Sequence, residues 1–522
     1  MKLSLMKMLL HPLVYVISIF GAVSGEQAAL NLLLSNNDHA PLPPKVAIIG
    51  AGIAGASAAY HLCDQYAHVG FDITIYEANS QVGGRIKSAK VYDGAYTFQQ
   101  VETGAQSFYA DDECVQSLVD ETGLRRKLEP HYPVKESVGI WDGASFILRG
   151  EGDLKGRNWT DWTRYAWRYG LSINDMRKWL SEKLPLFRRL LGRWEYANRS
   201  IPEDIENLGL TAELKSDAWS FLQNLTSPEF SREIVQAITR ARFGQNLATM
   251  HGLAALAAIN SAPTDSVING GNHKLIERLI KLSDVDLQLN STVTKIQTSP
   301  VRKYRLTVKT PSHHQDQPSS STEEADYDAV IIATPLQTSN IEFDIDIKIA
   351  TSSPRPYASR YVTHLTSPNP LSPAYFNLTI GASMPSKIYT TSSTNVTPPP
   401  FFSIEHSLAS FGLDGCIARS ENLYKIVTAS PLLDSTILSL LGQDPDRALE
   451  DAGVRWVHRE EWKHAFLEFY GRAMLDDIEI ADGIFYTGVG EEVVSSLEMS
   501  CRTGRRAADL LYTEKFAPEV QP

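Results

Sequence analysis

A short β-branched run, Val46 to Ile49, leads directly into "GAGIAG" and then into a small-residue stretch that ends at Leu62. The glycines at 50, 52 and 55 have the G-x-G-x-x-G spacing, and each answers a different steric demand. Gly50 permits a tight turn, Gly52 removes the Cβ that would block a pyrophosphate, and Gly55 lets a helix come close to a sheet. Beyond the turn, Gly55, Ala59 and Leu62 recur on one helical face. The pattern predicts strand, turn and helix, with the first N–H groups of the helix and its positive dipole end offered to a phosphate pair. Ile53 and Ala54, in the first helical turn, join the glycines as candidate contacts.

Glu77 closes a second strand, "FDITIYE", where a carboxylate can accept hydrogen bonds from both ribose hydroxyls of an adenosine. NAD and FAD proteins share this much. The next segment carries Gly83, Gly84 and Arg85, and this G-G-R resembles the second signature of FAD enzymes of the amine oxidase and glutathione reductase type. A glycine pair admits close backbone approach, and an arginine adds a forked donor for phosphate. "STVTKI" resembles the segment whose backbone holds the adenine, which points to Val293. "YDAVIIATP" resembles the strand that re-enters the cofactor domain and ends at Ala333 and Thr334. In "GIFYTGVGEEVVSSLEMSC" a strand, a glycine turn and a helix follow one another. The resembling families point that helix at the flavin, so Glu491 to Ser496 are contact candidates, together with Gly490 and Met499. Leu497, Cys501, Gly504, Ala508 and Leu511 form a narrow small-residue face for packing on the sheet.

These signals predict an α/β chain: a Rossmann-like FAD/NAD(P)-binding domain with a mixed α+β substrate domain inserted in it. The cofactor domain is read at 45–135, 266–345 and 476–515, and the substrate domain at 136–265, mainly helical, and 346–475. The polar stretch "PSHHQDQPSSSTEE" reads as a solvated loop, and the Ser/Thr/Pro-rich 351–400 as long loops around a few strands. The region 160–258 is rich in Trp, Tyr and Arg. It reads either as an amphipathic helix over a core or as a peripheral contact with lipid or a membrane surface.

The formal net charge of −12 argues against a nucleic-acid partner. Lys2 and Lys7 precede an apolar run, Leu13 to Phe20, and then small residues to Gly25, which reads as a signal peptide over 1–25 followed by a proline-rich lead-in over 26–44. Six N-x-S/T sequons, at Asn158, Asn198, Asn224, Asn290, Asn377 and Asn395, agree with passage through the secretory pathway to a lysosome or vacuole, or out of the cell. Four scattered cysteines permit one or two bridges, with buried free thiols as the default, and no metal-binding pair such as CxxC or HExxH occurs.

The full order of signal peptide, G-x-G-x-x-G, G-G-R, "VETGAQSFY" with Gly104 and Ala105, "VINGGNHKLIERLI", "ENLYKI" and "SSLEMS" resembles the prenylcysteine oxidase family, also called prenylcysteine lyases. It departs from the family in having Glu102-Thr103-Gly104-Ala105 at a G-G-S-type turn, and in lacking prolines around Trp462. The resemblance implies FAD and O2 acting on a prenylated thioether, with cysteine, an isoprenoid aldehyde and hydrogen peroxide as products. Loss of hydride from the carbon between sulfur and alkene leaves a cation stabilised by both neighbours; water adds, and the hemithioacetal collapses. This route asks little of side chains, so no catalytic residue is assigned, and His273, His406 and His464 read as surface or core histidines. A farnesyl-sized chain in an apolar slot contributes on the order of 10 kcal/mol gross, at about 0.8 kcal/mol per buried carbon. Two other readings share these features. A different FAD oxidase for a lipophilic amine or isoprenoid has the same cofactor signatures, although no S-G-G-C-type flavin attachment site occurs here. Non-catalytic prenyl-binding proteins of the Rab escort kind have degenerate cofactor loops, whereas all three glycines, Glu77 and Arg85 are present here.

Overall fold

Strand β1 (Lys45–Ile49) is apolar on both faces because it lies inside a parallel sheet, where helices cover each side. In this computed structural model the described residues are 42–93, 96–105, 108–109, 112–128, 137–151, 166–193, 200–260, 265–311, 320–349, 356–392, 398–413, 416–471 and 475–517. The expected signal peptide, nearly all of the lead-in, and the sequons at Asn158, Asn198 and Asn395 lie outside them.

The six-stranded sheet draws on three distant parts of the chain. Its other members are β2 (Asp72–Tyr76), β3 (Asp286–Gln288), β4 (Ala329–Ile332), β5 (Glu479–Ala481) and β6 (Ile484–Tyr486), in the order β3-β2-β1-β4-β6-β5. All pairings are parallel except that of β5 with β6. Helix α1 (Ile53–Gln65) follows β1, α3 (Leu497–Leu511) packs beside it, and α2 (Glu113–Glu121) packs on α3. The small-residue face read in the last helix is buried at Cys501, Gly504, Ala508 and Leu511. A Cβ on Gly504 would stand 2.2 Å from the Ala54 carbonyl oxygen, so the two helices meet backbone to backbone. Ser57 Oγ donates to Cys501 O at 3.0 Å across the same seam.

Cys114 and Cys501 are joined in a disulfide that ties α2 to α3 across 387 residues, with Cα atoms 6.2 Å apart. The default of buried free thiols is therefore corrected for this pair, while Cys63 is a half-buried free thiol. Beside the bridge, the buried Glu498 accepts the backbone N–H groups of Cys114 at 2.9 Å and Val115 at 3.0 Å. α2 has no side-chain cap from its own Asp112, and this carboxylate from α3 caps it instead.

A four-stranded sheet of Ser320–Tyr327, Tyr304–Pro311, Thr292–Thr298 and Glu342–Asp344 flanks the first. Here the expectation of a solvated loop over "PSHHQDQPSSSTEE" is partly overturned. Ser320–Tyr327 pairs antiparallel with Tyr304–Pro311, and it is polar because it is the exposed edge strand. A seven-stranded sheet, built mainly from 357–428 and 456–467 with the hairpin 137–151 at one edge, forms the second main layer. Its strand Tyr357–Ser367, second from one edge, runs 11 residues within the stretch read as long loops around a few strands; its threonines suit a strand, and neighbours on both sides supply the pairing.

Gly504→Val is expected to lower stability by about 2–3 kcal/mol, because the helices must part to admit the side chain. Thermal unfolding of the purified protein checks this, and an unchanged midpoint would contradict the packing described.

Candidate cofactor site

The first turn is shaped by what its glycines lack. Gly50 sits at φ +108°, its N–H donates to Tyr76 O at 2.8 Å, and a Cβ there would lie 2.8 Å from Ala333 O. A Cβ on Gly55 would lie 2.1 Å from Gly50 O, which is how closely the helix returns to the turn. At Gly52, by contrast, a Cβ would meet nothing within 4 Å. Gly52 is the N-cap of α1, no side chain caps it, and the first turn, including Ile53 and Ala54, carries no acidic residue. Open space in front of an uncapped helix N-terminus fits an anionic group such as a pyrophosphate.

The second glycine loop lies over the first. Gly83 N–H donates to Ala51 O at 2.9 Å, and a Cβ on Gly84 would be 3.4 Å from Gly52 Cα. Glu77 is buried at the rim of the same turn. Its Oε2 accepts the Ala51 N–H at 2.9 Å, and its Oε1 accepts from the Asn79 backbone at 2.9 Å and side-chain amide at 2.6 Å. Ser291 N–H donates to Glu77 O at 2.8 Å, which brings the strand containing the buried Val293 alongside. Ala333 N–H donates to Ile49 O at 2.8 Å, and a Cβ on Gly50 would be 3.5 Å from Thr334 Cβ, so the end of β4 closes the turn from the other side.

At the other end, the fork of Arg85 closes on a carboxylate. Its Nη1 and Nη2 both donate to Glu491, the latter at 2.9 Å, and Nη1 also donates to Ala465 O at 3.0 Å. The sequence reading aims Arg85 at phosphate; here it instead neutralises the nearly buried Glu491, for which a bidentate guanidinium is the best-matched counter-charge. Tyr357 Oη donates to Glu491 Oε2 at 3.2 Å and Ser495 Oγ to Oε1 at 2.9 Å. Burial, and then the Glu491 charge, raise the Tyr357 pKa well above its usual value, so the phenol stays a donor. Gly104 and Ala105 pack under this pair. A Cβ on Gly104 would be 2.1 Å from Arg85 O and 2.7 Å from the Trp462 ring, and Ala105 N–H donates to Arg85 O at 2.9 Å. Gly490 lies in the turn Thr487–Glu492 that leads from β6 towards α3, and Met499 is buried in the first turn of α3, its N–H held by Ser496 Oγ.

Several residues around this end carried no sequence signal. Trp462 Nε1 donates to Thr103 O at 2.7 Å. Gln245 brackets the backbone of Phe469, donating to its carbonyl at 3.2 Å and accepting its N–H at 2.9 Å. The fully buried His251 accepts Ala254 N–H on Nδ1, so Nε2 carries the hydrogen that points to Glu492 O at 3.0 Å. Of the histidines weighed in the sequence, His464 bonds Tyr357 O, His406 bonds Asn422 and His273 bonds Ser88.

The contrast between Gly52 and Gly50 gives a test. Gly52→Val is expected to fold with near-normal stability and bind no dinucleotide, because its side chain fills only the open cradle. Gly50→Val is expected to fail earlier, in folding itself, because its φ and the Ala333 carbonyl both exclude a Cβ. Thermal melts and the bound cofactor of both variants check this; a Gly52→Val protein with full cofactor would contradict it.

Residues 154–520 match the prenylcysteine lyase family, and residues 48–122 match the NAD(P)-binding Rossmann-like domain family. Among curated relatives, a farnesylcysteine lyase of Arabidopsis thaliana is 25% identical over 505 residues, covering 91% of this chain and 90% of the relative. Prenylcysteine oxidase 1 of Bos taurus is 25% identical, covering 90% and 88%. Among solved structures, a putrescine oxidase variant superposes with a TM-score of 0.57 at 16% identity, and a putative protoporphyrinogen oxidase from Exiguobacterium with 0.55 at 13%, each over 90% of this chain and 99% of the other. Those two likenesses are of fold. With the family match spanning well over half of its length, the chain belongs to the prenylcysteine lyase family.

Proposed function

We propose that this chain is an FAD-dependent oxidase that cleaves a prenylated cysteine, using O2 and water, into free cysteine, an isoprenoid aldehyde and hydrogen peroxide. The observation that carries the reading is the open cradle at Gly52 with the second glycine loop lying over it, in a chain whose relatives are named for this chemistry over about nine tenths of their length. Gly50, Gly52 and Gly55 with Ile53 and Ala54 would hold the pyrophosphate from below, and Gly83 and Gly84 would cover it, while Arg85 holds Glu491. Glu77 would take the ribose and the Val293 backbone the adenine. Ala333, Thr334, Gly104, Ala105, Gly490, Glu491 and Met499 would surround the remainder. When bound, FAD supplies the hydride acceptor for the carbon beside sulfur and returns the electrons to O2.

The chain's own contribution is positioning and exclusion of water. The Glu491 carboxylate, held by Arg85, Tyr357 and Ser495, fixes the turn before α3. His251 holds the next carbonyl of that turn through a neutral imidazole. Entry into the secretory pathway fits a buried disulfide and the exposed asparagines of the three described sequons, Asn224, Asn290 and Asn377. Peripheral contact with a lipid surface fits Trp167 and Leu171, which are 88% and 72% exposed just ahead of helix Ser172–Arg193. That helix buries Met176, Trp179, Phe187 and Leu190 and exposes Lys178 and Arg189.

Anaerobic titration of the purified holoprotein with farnesylcysteine tests the reading. The expected result is bleaching of the flavin and release of isoprenoid aldehyde, with hydrogen peroxide forming on admission of air. Bleaching by a lipophilic amine but by no prenylated thiol would contradict it.

A further inference from the structure

Arg240 and Arg360 are both deeply buried, 7% and 6% exposed, and both lie against one ring: their Cζ atoms are 5.1 Å and 5.2 Å from the centroid of Phe402. Their acceptors are almost all neutral. Arg240 donates from Nε to Thr390 O at 3.0 Å, from Nη1 to Asn246 Oδ1 at 3.0 Å and from Nη2 to Thr390 Oγ1 at 3.3 Å. Arg360 donates from Nη1 to Ser359 O at 2.9 Å and from Nη2 to Gly244 O at 3.3 Å, while its buried Nε has no acceptor. Among the described residues the carboxylate within ion-pair reach is Glu468, 3.7 Å from Arg360 and itself 38% exposed. Burial lowers the pKa of both guanidiniums, and for Arg240, held at about 10, the charge of Arg360 adds to the effect. Of these two buried cations only Arg360 has a carboxylate within reach among the described residues, and that one is distant and partly solvated. Burying a charge without a counter-charge is costly, and the arrangement is balanced by one further carboxylate.

The pair also lies beside the end of the cofactor site described above. Arg360 is on the strand that begins with Tyr357, whose hydroxyl touches Glu491, and it pairs across the sheet with Trp462, which holds the Thr103–Gly104 turn. Gly244, which accepts from Arg360, precedes the Gln245 that brackets Phe469. We propose that Arg240 and Arg360 form the subsite that binds the α-carboxylate of the substrate's cysteine. This inference rests on the prenylcysteine reading. The carboxyl carbon of such a substrate is four bonds from the carbon that loses hydride, so gripping it sets where that carbon sits. The prenyl chain supplies most of the binding energy and little orientation; a charge-assisted carboxylate contact supplies orientation and rejects cysteines whose carboxyl is esterified or in peptide linkage.

The test compares farnesylcysteine, its methyl ester and S-farnesylcysteamine by anaerobic flavin bleaching, reading the apparent Kd separately from the limiting rate. Wild type is expected to bind the free acid about 10- to 100-fold more tightly than the other two. Arg360→Met and Arg240→Met are expected to weaken the acid alone and leave the ester unchanged, with flavin content and melting temperature checking that each variant is folded. Arg360→Lys is expected to restore part of the preference. Equal affinity of wild type for all three ligands, or equal weakening of all three in the variants, overturns the subsite and leaves the prenylcysteine reading intact. If the variants do not accumulate, the wild-type series decides alone. Bleaching by none of the three removes both.

Discussion

One bidentate ion pair, Arg85 with Glu491, joins loops that are 406 residues apart in the chain, and most of the site depends on it. Arg85 ends the glycine loop that lies over the first turn; Glu491 lies in the turn that precedes the last helix. Removing Arg85 would leave the nearly buried Glu491 with neutral donors in place of its counter-charge, so the pair demands that both loops be in place together. The disulfide between Cys114 and Cys501 and the close seam of Gly504 on Ala54 act in the same direction. The segments 45–121 and 484–511 are therefore one structural unit around one cradle.

The parts of the site that were legible in the sequence are those where a residue type is dictated by steric need. Gly50, Gly52 and Gly55 show three different surroundings for a would-be Cβ, and the differences follow the three tasks that the spacing implies. Glu77 was legible because the end of a second strand is a fixed distance from the turn. The narrow face of the last helix was legible because small residues at helical spacing have few other uses. What stayed hidden depends on partners supplied by the tertiary fold. Nothing around Tyr357, Gln245 or His251 marks them as neighbours of Glu491 and its turn, since their contacts span more than 100 residues. The first part of Ser320–Tyr327, up to Glu324, reads as a loop because an exposed edge strand has no apolar face to show. Arg85 was read as a fork for phosphate; its carboxylate partner lies in a segment whose position only the fold reveals.

The two main layers divide the chemistry between them. The six-stranded sheet presents backbone groups and glycines, which suit a large rigid dinucleotide. The seven-stranded sheet and the helices beside it present aromatic rings, an uncharged histidine and two buried arginines, which suit an apolar chain with a charged head. A thioether oxidation needs no nucleophile or metal from the protein; it needs the reacting carbon placed and bulk water kept out. The residues around Glu491 and Phe469 are organised for placement, through hydrogen bonds to backbone carbonyls and N–H groups more than through side-chain acids or bases.

The measurement that bears most directly on the central claim is the cofactor content of the native protein after gentle purification and denaturation in the dark. The account predicts about one FAD released per chain, from a yellow protein whose stability falls when the flavin is stripped. A colourless chain that is fully folded and takes up no added FAD would contradict it.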